Sequence, residues 1–458
     1  MKYTALTIGP IVDTITLGRK TSEIWMASYL FSSFMKNSIK KIKTLDGVEF
    51  VIPYVDDDSI FEEQDNGVGM FHDRFIFKSE DVSLEQVEKI LQEEKDALSS
   101  MIATSIDKDN QKVKAFFDQY FQTYLFETSQ SFNDPINKIS KIMDSVELHT
   151  PPLECEEDYI RLFLNRNTIL GSDLAKVSFG KKPSFDSIEA IASQELDEDM
   201  TSATNAHKYI AIIYADGDNL GSYIKRQNNV TQVSKRLFEF DKKASQTIKN
   251  HGALPIFIGG DDLIIFSPVI NGEQTVFDLL NDLSQDYKEA LKTDDESTLS
   301  FGVSLTYYKY PLYEALERSR DALFGVAKEH SGKNAIALSA QKHSGQSFNF
   351  CVGKESEAYA KFLKLVKSIL VNESKLELPH AIHHKLKSYE KLFESIDFEK
   401  SLEHTFKNIF DEDLHQDKFK EGLKEIRELM QILGNSKESQ ERLFSMLSTI
   451  KLLRGDRK

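Results

Sequence analysis

The stretch IFIGGDDLIIF, residues 256–266, places two glycines and two aspartates between two strongly apolar runs. Apolar runs joined by Gly and Asp are typical of a β-hairpin, so the sequence predicts one over LPIFIGGDDLIIFS, with a four-residue tip from Gly259 to Asp262. The same residue types are common in solvated turns, and the motif by itself also fits that simpler interpretation. Other parts of the chain must therefore show whether the carboxylates at this tip have partners.

A second acidic stretch, ADGDNLG, follows the β-rich run KYIAIIYA and places Asp216 at the end of a predicted strand. In a ferredoxin-like order this strand can lie beside the hairpin, so Asp216 is expected to converge with Asp261 and Asp262. Carboxylates held this close repel one another unless cations lie between them. Mg²⁺ binds such groups, and two such ions support phosphoryl or nucleotidyl transfer. Gly259 and Gly260 would let a triphosphate approach the main chain.

Hydrophobic periodicity divides the chain into four regions. Residues 1–150 read as strand, helix, two strands and helix, and residues 208–345 repeat this order more clearly. Both regions predict a ferredoxin-like βαββαβ domain. Residues 151–207 are polar and predict a connector with a small subdomain, while residues 346–458 carry apolar stripes at helical spacing. The predicted fold class is therefore α+β, with two ferredoxin-like domains and a C-terminal α-helical bundle.

The charge balance argues against strong RNA binding by the chain alone. It has 57 Lys and Arg against 73 Asp and Glu, a net charge of −16, whereas phosphate contacts need Lys and Arg. Its two cysteines, Cys155 and Cys351, form no CxxC pair, which excludes a cysteine zinc ribbon and a disulfide framework. The N-terminus lacks a signal-peptide pattern and no apolar run is long enough for a membrane span, so a soluble cytoplasmic protein is expected.

Several segments resemble a known family. IIYADGDNLG, FIGGDDLIIF and AKEHSGKNAIAL are similar to the palm domain shared by GGDEF-type nucleotide cyclases and the large polymerase/cyclase subunit of type III CRISPR effector complexes. The second aspartate of GGDD favours the CRISPR branch. The N-terminal LTIGPIVDTITLGRKTSEIWMASYLFSSFM independently resembles the first palm-like domain of the Cmr-type (III-B) subunit. The connector 151–207 carries no matching motif.

The resemblance implies an activity, cofactors and partners. Once target RNA is bound, such a palm joins ATP into cyclic oligoadenylate messengers: a 3′-hydroxyl attacks an α-phosphate and pyrophosphate leaves. The implied cofactors are two Mg²⁺ or Mn²⁺ ions, with ATP as the substrate. The implied partners are other Cmr-type subunits, guide RNA and target RNA. Because this chain is acidic, we expect RNA to be held mainly by the other subunits, with this chain docked through its N-terminal domain and its C-terminal helices.

The resemblance also assigns roles to individual residues. Asp216, Asp261 and Asp262 match the catalytic and metal-binding aspartates of the palm. The positions expected to bind nucleotide are Gly217, Asp218, Asn219, Gly259, Gly260, Lys328 and Lys333. Two alternatives stay open for this set. Asp218 either supports the site or faces solvent, and the two lysines either bind triphosphate or only complement the dipole at a helix C-terminus.

The sequence departs from this family at several points. Many members carry an N-terminal HD nuclease domain, whereas this chain begins at the palm-like domain. His72–Asp73 in FHDRF falls in an apparent strand with no other histidine nearby to build a metal site, so we expect no nuclease there. The cysteine zinc site found in many members is absent. HAIHH, residues 380–384, has histidines at helical i, i+3, i+4 spacing, and a metal site there stays open as an alternative. No acidic or cysteine partner is evident, so a solvated helix face is the preferred interpretation.

Three other functions remain open at this point. The palm could transfer AMP from ATP to another small-molecule acceptor, because the sequence does not define the acceptor pocket. A stand-alone dinucleotide cyclase of the GGDEF kind is disfavoured by the N-terminal resemblance and by the C-terminal helices. A catalytically inactive structural subunit is disfavoured by the intact aspartates. The presence of genes for other Cmr-type subunits beside this one would separate these alternatives.

Overall fold

The structure, a computed structural model of the chain, has two sheet-containing domains followed by a helical region. It describes residues 2–61, 68–129, 135–147, 157–165, 186–196, 204–227, 229–293, 297–371, 385–410 and 417–454. The predicted helix face at 380–384, Cys155 and most of the connector 151–207 therefore lie outside the described residues.

The first domain is built on an antiparallel sheet with the strand order β2-β3-β1-β4. These strands are β1 (Lys2–Gly9), β2 (Glu49–Ile52), β3 (Arg74–Ser79) and β4 (Gln122–Ser129). The helices between them are Ile11–Leu17, Thr21–Ile42, Leu84–Ile106 and Asn110–Tyr120. Because the first strand lies between the third and the fourth, this is the ferredoxin-like order that the sequence predicts.

Apolar periodicity accounts for the long helices of this domain. The helix Thr21–Ile42 buries its predicted stripe, whose members are each at most 3% exposed: Ile24, Ala27, Leu30, Phe31 and Phe34. The helix Leu84–Ile106 begins at a capping box, in which Ser83 Oγ accepts a hydrogen bond from the backbone N–H of Gln86. Further helices follow β4 at Pro135–Glu147, Tyr159–Asn165 and Ile188–Ala192.

The second domain repeats this arrangement and extends it. Its larger sheet has the order β12-β11-β10-β5-β7-β6, and a short antiparallel pair, β8 and β9, lies apart from it. The strands are β5 (Tyr209–Asp218), β6 (Leu254–Gly259), β7 (Asp262–Pro268), β8 (Ile270–Asn271), β9 (Gln274–Thr275), β10 (Thr298–Tyr307), β11 (Ala335–Gln341) and β12 (Ser347–Gly353). The helices are Leu220–Gln227, Val230–Asn250, Val276–Leu291 and Leu312–Ala322, the last continuing as a π-helical turn, Leu323–Ala327.

The segment β10-β5-β7-β6 has the same order as the four strands of the first domain, which confirms the α+β fold with two ferredoxin-like palms. Beyond it, β11 runs parallel to β10 and β12 pairs antiparallel with β11. The strand β12 is a departure from the sequence pattern, which assigned residues 346–458 to helices. A sequence signal existed, because SFNFCVG places Phe348, Phe350 and Val352 at alternate positions, which is typical of a strand.

The C-terminal region is helical from Glu357 onward in the part that the structure describes. Its helices are Glu357–Val371, Glu390–Ser395, Phe398–Ile409, Asp417–Leu433 and Lys437–Arg454. Their buried residues continue the core of the second domain, since Phe362 packs edge-on against both Phe277 and Phe350. This region therefore packs directly against the second palm.

The two palm domains share a hydrophobic core. One continuous cluster of buried residues contains Trp25 and Phe31 of the first domain together with Ile256 and Phe266 of the second. Polar contacts add to it: the backbone N–H of Tyr54 donates to Ser234 Oγ at 2.8 Å. The position of the first domain relative to the second sheet is therefore set by close packing. Among the described residues, no helix has the length and apolar character that crossing a membrane requires.

Candidate active site

Neighbouring strands of the second sheet bring three aspartates together. β5 pairs antiparallel with β7, and Ala215 lies opposite Leu263. One step further along this register places Asp216 opposite Asp262, the first residue of β7. Carboxylate oxygens of Asp216, Asp261 and Asp262 all lie within 4.8 Å of one another. The convergence that the sequence predicts is therefore present, and this set of three side chains is called the acidic triad below.

The hairpin that carries two members of the triad is tighter than the sequence pattern predicts. Gly259 already pairs with Asp262 across the two strands, so the tip consists of Gly260 and Asp261 and not of four residues. Gly260 has φ of 71°, a left-handed conformation that glycine adopts without strain. The short tip leaves the two aspartates little freedom relative to β6 and β7.

Protein side chains fill the space next to the glycines of the site. A Cβ added at Gly217 would lie 2.4 Å from Oδ2 of Asp261, so glycine there allows the hairpin to approach β5. A Cβ at Gly259 would lie 2.5 Å from the ring of Phe257, and one at Gly260 would lie 2.5 Å from Cε1 of His72. The sequence pattern explained Gly259 and Gly260 by the approach of a triphosphate. The structure shows a further reason, because aromatic side chains of the protein occupy the space that a Cβ would need, and the approach of a triphosphate stays a prediction.

The acidic triad has unfavourable electrostatics in the absence of a cation. Burial, followed by the negative charge of Asp216, raises the pKa of Asp261 to about 7. Burial also raises the pKa of Asp262 well above its ordinary value, and the charges of Asp261 and Asp216 add to the effect. The side chain of Asp262 remains open to water although protein atoms crowd the surrounding volume. A divalent cation would favour the ionised forms of all three groups, so the donor set and its charge fit a metal such as Mg²⁺.

Lys328 is the cation that the protein itself supplies to this edge of the sheet. It follows the π-helical turn, and its ammonium forms an ion pair with the carboxylate of Asp216. It also donates to the backbone carbonyls of Asp216 at 2.8 Å and Gly217 at 2.7 Å, and lies 3.0 Å from Oδ1 of Asp218. Lys328 therefore fixes the end of β5 and balances part of the negative charge there. Its contacts go beyond those of a lysine that only complements the dipole at a helix C-terminus.

Asp218 belongs to the interior and not to the triad. Its side chain is fully buried and, besides the ammonium of Lys328, accepts hydrogen bonds from Thr298 Oγ1 at 2.8 Å, Ser300 Oγ at 2.7 Å and the backbone N–H of Asn334 at 2.9 Å. Its burial excludes the alternative that it faces solvent, and a direct role in binding nucleotide stays a prediction. The carboxylate ties β5 to β10 and to the turn before β11.

The two remaining predicted positions lie in turns. Asn219 is exposed, has φ of 57°, and its carbonyl accepts the backbone N–H of Tyr223 at 3.0 Å, which starts the helix after β5. Lys333 is half-buried with φ of 53°, and its backbone N–H donates to the carbonyl of His330 at 2.8 Å. Whether either side chain binds nucleotide stays a prediction.

Two residues near the triad were missed by sequence reasoning. Asp241 is fully buried on the helix Val230–Asn250, and its Oδ1 accepts the backbone N–H of Gly260 at 2.9 Å. A signal existed, because Asp241 interrupts the apolar stripe between Leu237 and Ala244. His72 was considered only as a nuclease candidate inside a strand. It precedes β3, which begins at Arg74, and contacts the GGDD hairpin.

Comparisons with known proteins agree with this architecture. Residues 209–337 match the family model described as Cas10/Cmr2, second palm domain, and residues 3–110 match CRISPR-associated protein Cmr2, N-terminal. A curated relative, the CRISPR system Cmr subunit Cmr2 of Pyrococcus furiosus, is 26% identical over 179 residues, which cover 33% of this chain and 20% of that protein. The matched region thus spans about a fifth of the length of the curated relative.

Solved structures share the fold. A chain of the type III-B Cmr-beta complex in its apo state aligns with a TM-score of 0.63 and 10% identity, covering 91% of this chain and 77% of that one. A chain of the Csm1–Csm4 cassette in complex with cA4 aligns with a TM-score of 0.60 and 11% identity, covering 99% and 70%. Csm1 in T. onnurineus aligns with a TM-score of 0.55 and 10% identity, covering 99% and 69%. At these identities the similarity concerns the fold alone.

Proposed function

The chain belongs to the Cas10/Cmr2 family, and from this premise we propose that its second palm converts ATP into cyclic oligoadenylates by metal-dependent nucleotidyl transfer. The single observation that carries the proposal is the acidic triad, whose three carboxylates converge within 4.8 Å at one edge of the palm sheet. Carboxylate oxygens are the ligands that Mg²⁺ prefers, so this donor set suits a divalent cation. The intact triad also argues against an inactive structural subunit.

Asp216, Asp261 and Asp262 would hold the metal, which we propose to be two Mg²⁺ or Mn²⁺ ions. When bound, these ions would neutralise charge on the triphosphate and lower the pKa of the attacking 3′-hydroxyl. The residues of the chain hold the metal-binding aspartates in place. Lys328 and the buried Asp218 fix the end of β5, and the two-residue tip fixes the aspartates of the hairpin. Nucleotides would therefore meet a rigid donor set.

Structural relatives support adenosine nucleotides as the ligands. Solved structures of the Csm1–Csm4 cassette contain cA4, pppApA or AMPPNP and align with this chain with TM-scores of 0.60, 0.55 and 0.55. The reaction we propose joins the 3′-oxygen of one adenosine unit to the α-phosphorus of another and releases pyrophosphate. AMP transfer to a different acceptor would use the same triad and would differ only in the product.

We further propose that the chain acts as a subunit of a type III-B effector complex, with other Cmr-type subunits, guide RNA and target RNA. An apo Cmr-beta complex and one bound to cognate target RNA contain chains of the same fold, with TM-scores of 0.63 and 0.59. The net charge of −16 supports a division of labour in which other subunits hold most of the RNA. Nanomolar binding of guide RNA by the purified chain at physiological salt would contradict that division.

The experiment that tests the proposed reaction replaces the pair at the tip of the hairpin. In the assembled complex with target RNA, Mg²⁺ and labelled ATP, Asp261→Ala with Asp262→Ala should lower product formation about a thousandfold or more, because the metal ligands are lost. Chromatography of the products distinguishes cyclic oligoadenylate from AMP joined to another acceptor.

A matched control replaces another adjacent acidic pair, Asp56 and Asp57, which are exposed in the first domain. The double substitution to alanine there should leave product formation within about twofold of wild type, since exposed charges contribute little. If the Asp261 and Asp262 double variant assembles normally and still forms phosphodiester-linked product near the wild-type rate, the GGDD stretch is only a turn and the proposed function is wrong.

A further inference from the structure

The imidazole of His72 packs against the main chain of the GGDD hairpin. A Cβ placed at Gly260 would lie 2.5 Å from Cε1 and 3.1 Å from Nε2 of His72, and one at Gly259 would lie 3.3 Å from its Nδ1. The ring therefore occupies the volume that any side chain at Gly260 would need. Burial and the neighbouring guanidinium of Arg74 lower the pKa of His72 to about 4, so the ring is uncharged at neutral pH and suited to such packing.

The two chain neighbours of His72 are both hydrogen-bonded to the first domain. On one side, the backbone N–H of Phe71 donates to the buried Oγ of Ser32 at 2.9 Å, and Phe71 lies in the hydrophobic core. On the other side, the carbonyl of Asp73 accepts the backbone N–H of Ile8 at 3.0 Å, which extends the ladder of β1 and β3. With both neighbours fixed, His72 moves only with the first domain.

A second contact holds the same glycine from within the second domain. The buried carboxylate of Asp241 accepts the backbone N–H of Gly260 through Oδ1 at 2.9 Å, and its Oδ2 has no hydrogen-bond partner among the described residues. A buried carboxyl group left half-satisfied is costly and is retained only where it has a use. Its one bond is to the residue that directly precedes Asp261.

We propose that His72 and Asp241 are positioning residues that clamp Gly260 between the two palm domains and thereby hold Asp261 and Asp262 at the spacing that metal binding requires. The inference rests on the proposed function, in which those two aspartates are metal ligands. Gly260 has φ of 71° and no side chain of its own to restrain it, so contacts from outside add to the restraint that the short tip already gives. Mg²⁺ demands near-ideal octahedral geometry, which makes its binding sensitive to small displacements of the ligands.

Amide hydrogen exchange of the hairpin, residues 257–263, tests the clamp without metal. In the full-length protein, His72→Ala and Asp241→Ala should each speed exchange of these amides about tenfold, because each removes one of the contacts to the tip. Asp241→Asn should keep near-wild-type protection, since its side-chain oxygen still accepts the bond from Gly260. The matched control is His343→Ala, at an exposed position beside the opposite end of β5, which should leave exchange of the hairpin unchanged.

A double-mutant cycle between His72 and Gly260 tests whether the contact is steric. Titration with Mn²⁺ should show that Gly260→Ala weakens binding at least fivefold more in the wild-type background than in His72→Ala, because the added methyl needs the space that the ring fills. Thermal unfolding of each variant checks that it is folded before titration.

The outcomes separate this inference from the proposed function. If the wild-type protein binds no Mn²⁺ at the triad, the proposed function fails, while the exchange experiment still reports on the clamp. If hairpin exchange is unchanged in both His72→Ala and Asp241→Ala, or if the effects of His72→Ala and Gly260→Ala on Mn²⁺ affinity simply add, the clamp is overturned even though the metal site stands.

Discussion

The two palm domains have the same strand order, yet among the described residues only the second brings three carboxylates within 4.8 Å of one another at the end of its central strands. In the second domain the pairing of β5 with β7 sets Asp216 opposite Asp262. In the first domain the pairing of β1 with β3 continues to Ile8, which lies opposite Asp73. The same position in the same fold thus holds an aliphatic side chain in one domain and a metal-ligand candidate in the other.

The connections between the paired strands differ just as clearly. In the second domain β6 and β7 are joined by Gly260 and Asp261 alone, so the tip brings a third carboxylate to the triad. In the first domain the corresponding connection, between β2 and β3, runs from residue 53 to residue 73. The acid that this connection places next to the strand end, Asp73, lies opposite Ile8 and not opposite a second carboxylate. The fold therefore supplies the edge, and the residues at the strand ends decide whether it becomes a metal site.

The spacing of the acids differs between the two edges more than their charge balance does. Near the start of β3 the guanidinium of Arg74 is paired with Asp144 at 2.8 Å and with Glu147, and lies 3.9 Å from Asp73. At the triad, three carboxylates have only one such partner among the described residues, the ammonium of Lys328, which pairs with Asp216. One cationic side chain thus serves three acids at each edge, and the second domain is distinguished by carboxylates that converge within 4.8 Å of one another.

The largest expected effect compares the two equivalent edges directly. Asp216→Asn removes a charged metal ligand and should lower the rate of nucleotidyl transfer about a thousandfold. Asp73→Asn, at the position in the first domain that pairs with Ile8, should change the rate less than threefold. Both are measured with labelled ATP in the assembled complex. A comparable loss in both variants would mean that the first domain supplies a ligand, and the contrast drawn here would fail.

The next effect concerns stability and separates Asp218 from the triad. Asp218→Ala should lower the free energy of unfolding by about 3 kcal/mol, because it leaves the donors of Thr298, Ser300 and Asn334 buried without their acceptor. Asp262→Ala should leave stability unchanged or slightly increased, since it relieves repulsion. Urea and thermal unfolding of the metal-free protein measure both. Equal destabilisation by the two substitutions would place Asp262 in the core instead.

Much of the difference between the two palm domains could be predicted from the sequence. The period-two and helical patterns give both βαββαβ orders, and register within a sheet then forces Asp216 toward the hairpin. The buried role of Asp218 could not be read, because Thr298, Ser300 and Asn334 lie about 80 or more residues away along the chain. The hydrogen-bond partners of this carboxylate are set by strand pairing across such distances. A local sequence pattern does not show which strands pair.

Contacts between the domains were the least predictable part. The HD dipeptide at His72 suggested metal chemistry, and the absence of further histidines in the sequence argued against it. The packing of His72 on Gly260 depends on how the two domains pack against each other through buried side chains such as Trp25 and Ile256. The sequence draws attention to Gly259 and Gly260, but it does not show that the rings of Phe257 and His72 occupy the space that a Cβ would need.

A smaller effect follows from the raised pKa values of the triad. Metal binding competes with protonation, and the pKa of Asp261 is raised from an ordinary value near 3.8 to about 7. The group is therefore mostly protonated at pH 6 and mostly ionised at pH 8, so Mn²⁺ affinity should rise about tenfold between these values. The sign is opposite for the metal-free fold: ionisation of a carboxyl whose pKa is raised by folding destabilises it, so this contribution falls as pH rises from about 4 to 7. Affinity that is flat between pH 6 and 8 would contradict the electrostatic account.

The smallest effect measures how far the first domain acts electrostatically on the triad. The charge of Asp73 is one of the causes that raise the pKa of Asp262, although burial and the two nearer aspartates come first. Asp73→Asn should lower the pKa of Asp262 slightly, but it also removes a negative charge that attracts a dication about twice as strongly as a proton, so Mn²⁺ affinity at pH 8.5 should fall roughly twofold. At pH 6 the loss should shrink, because burial raises the pKa of Asp73 itself to about 6 and part of its charge is already neutralised there. Asp81→Asn, an exposed substitution beyond the other end of β3, serves as the control and should leave affinity unchanged at both pH values. A loss of more than about tenfold in Asp73→Asn would show that Asp73 binds the cation directly, and the two edges would then form one site.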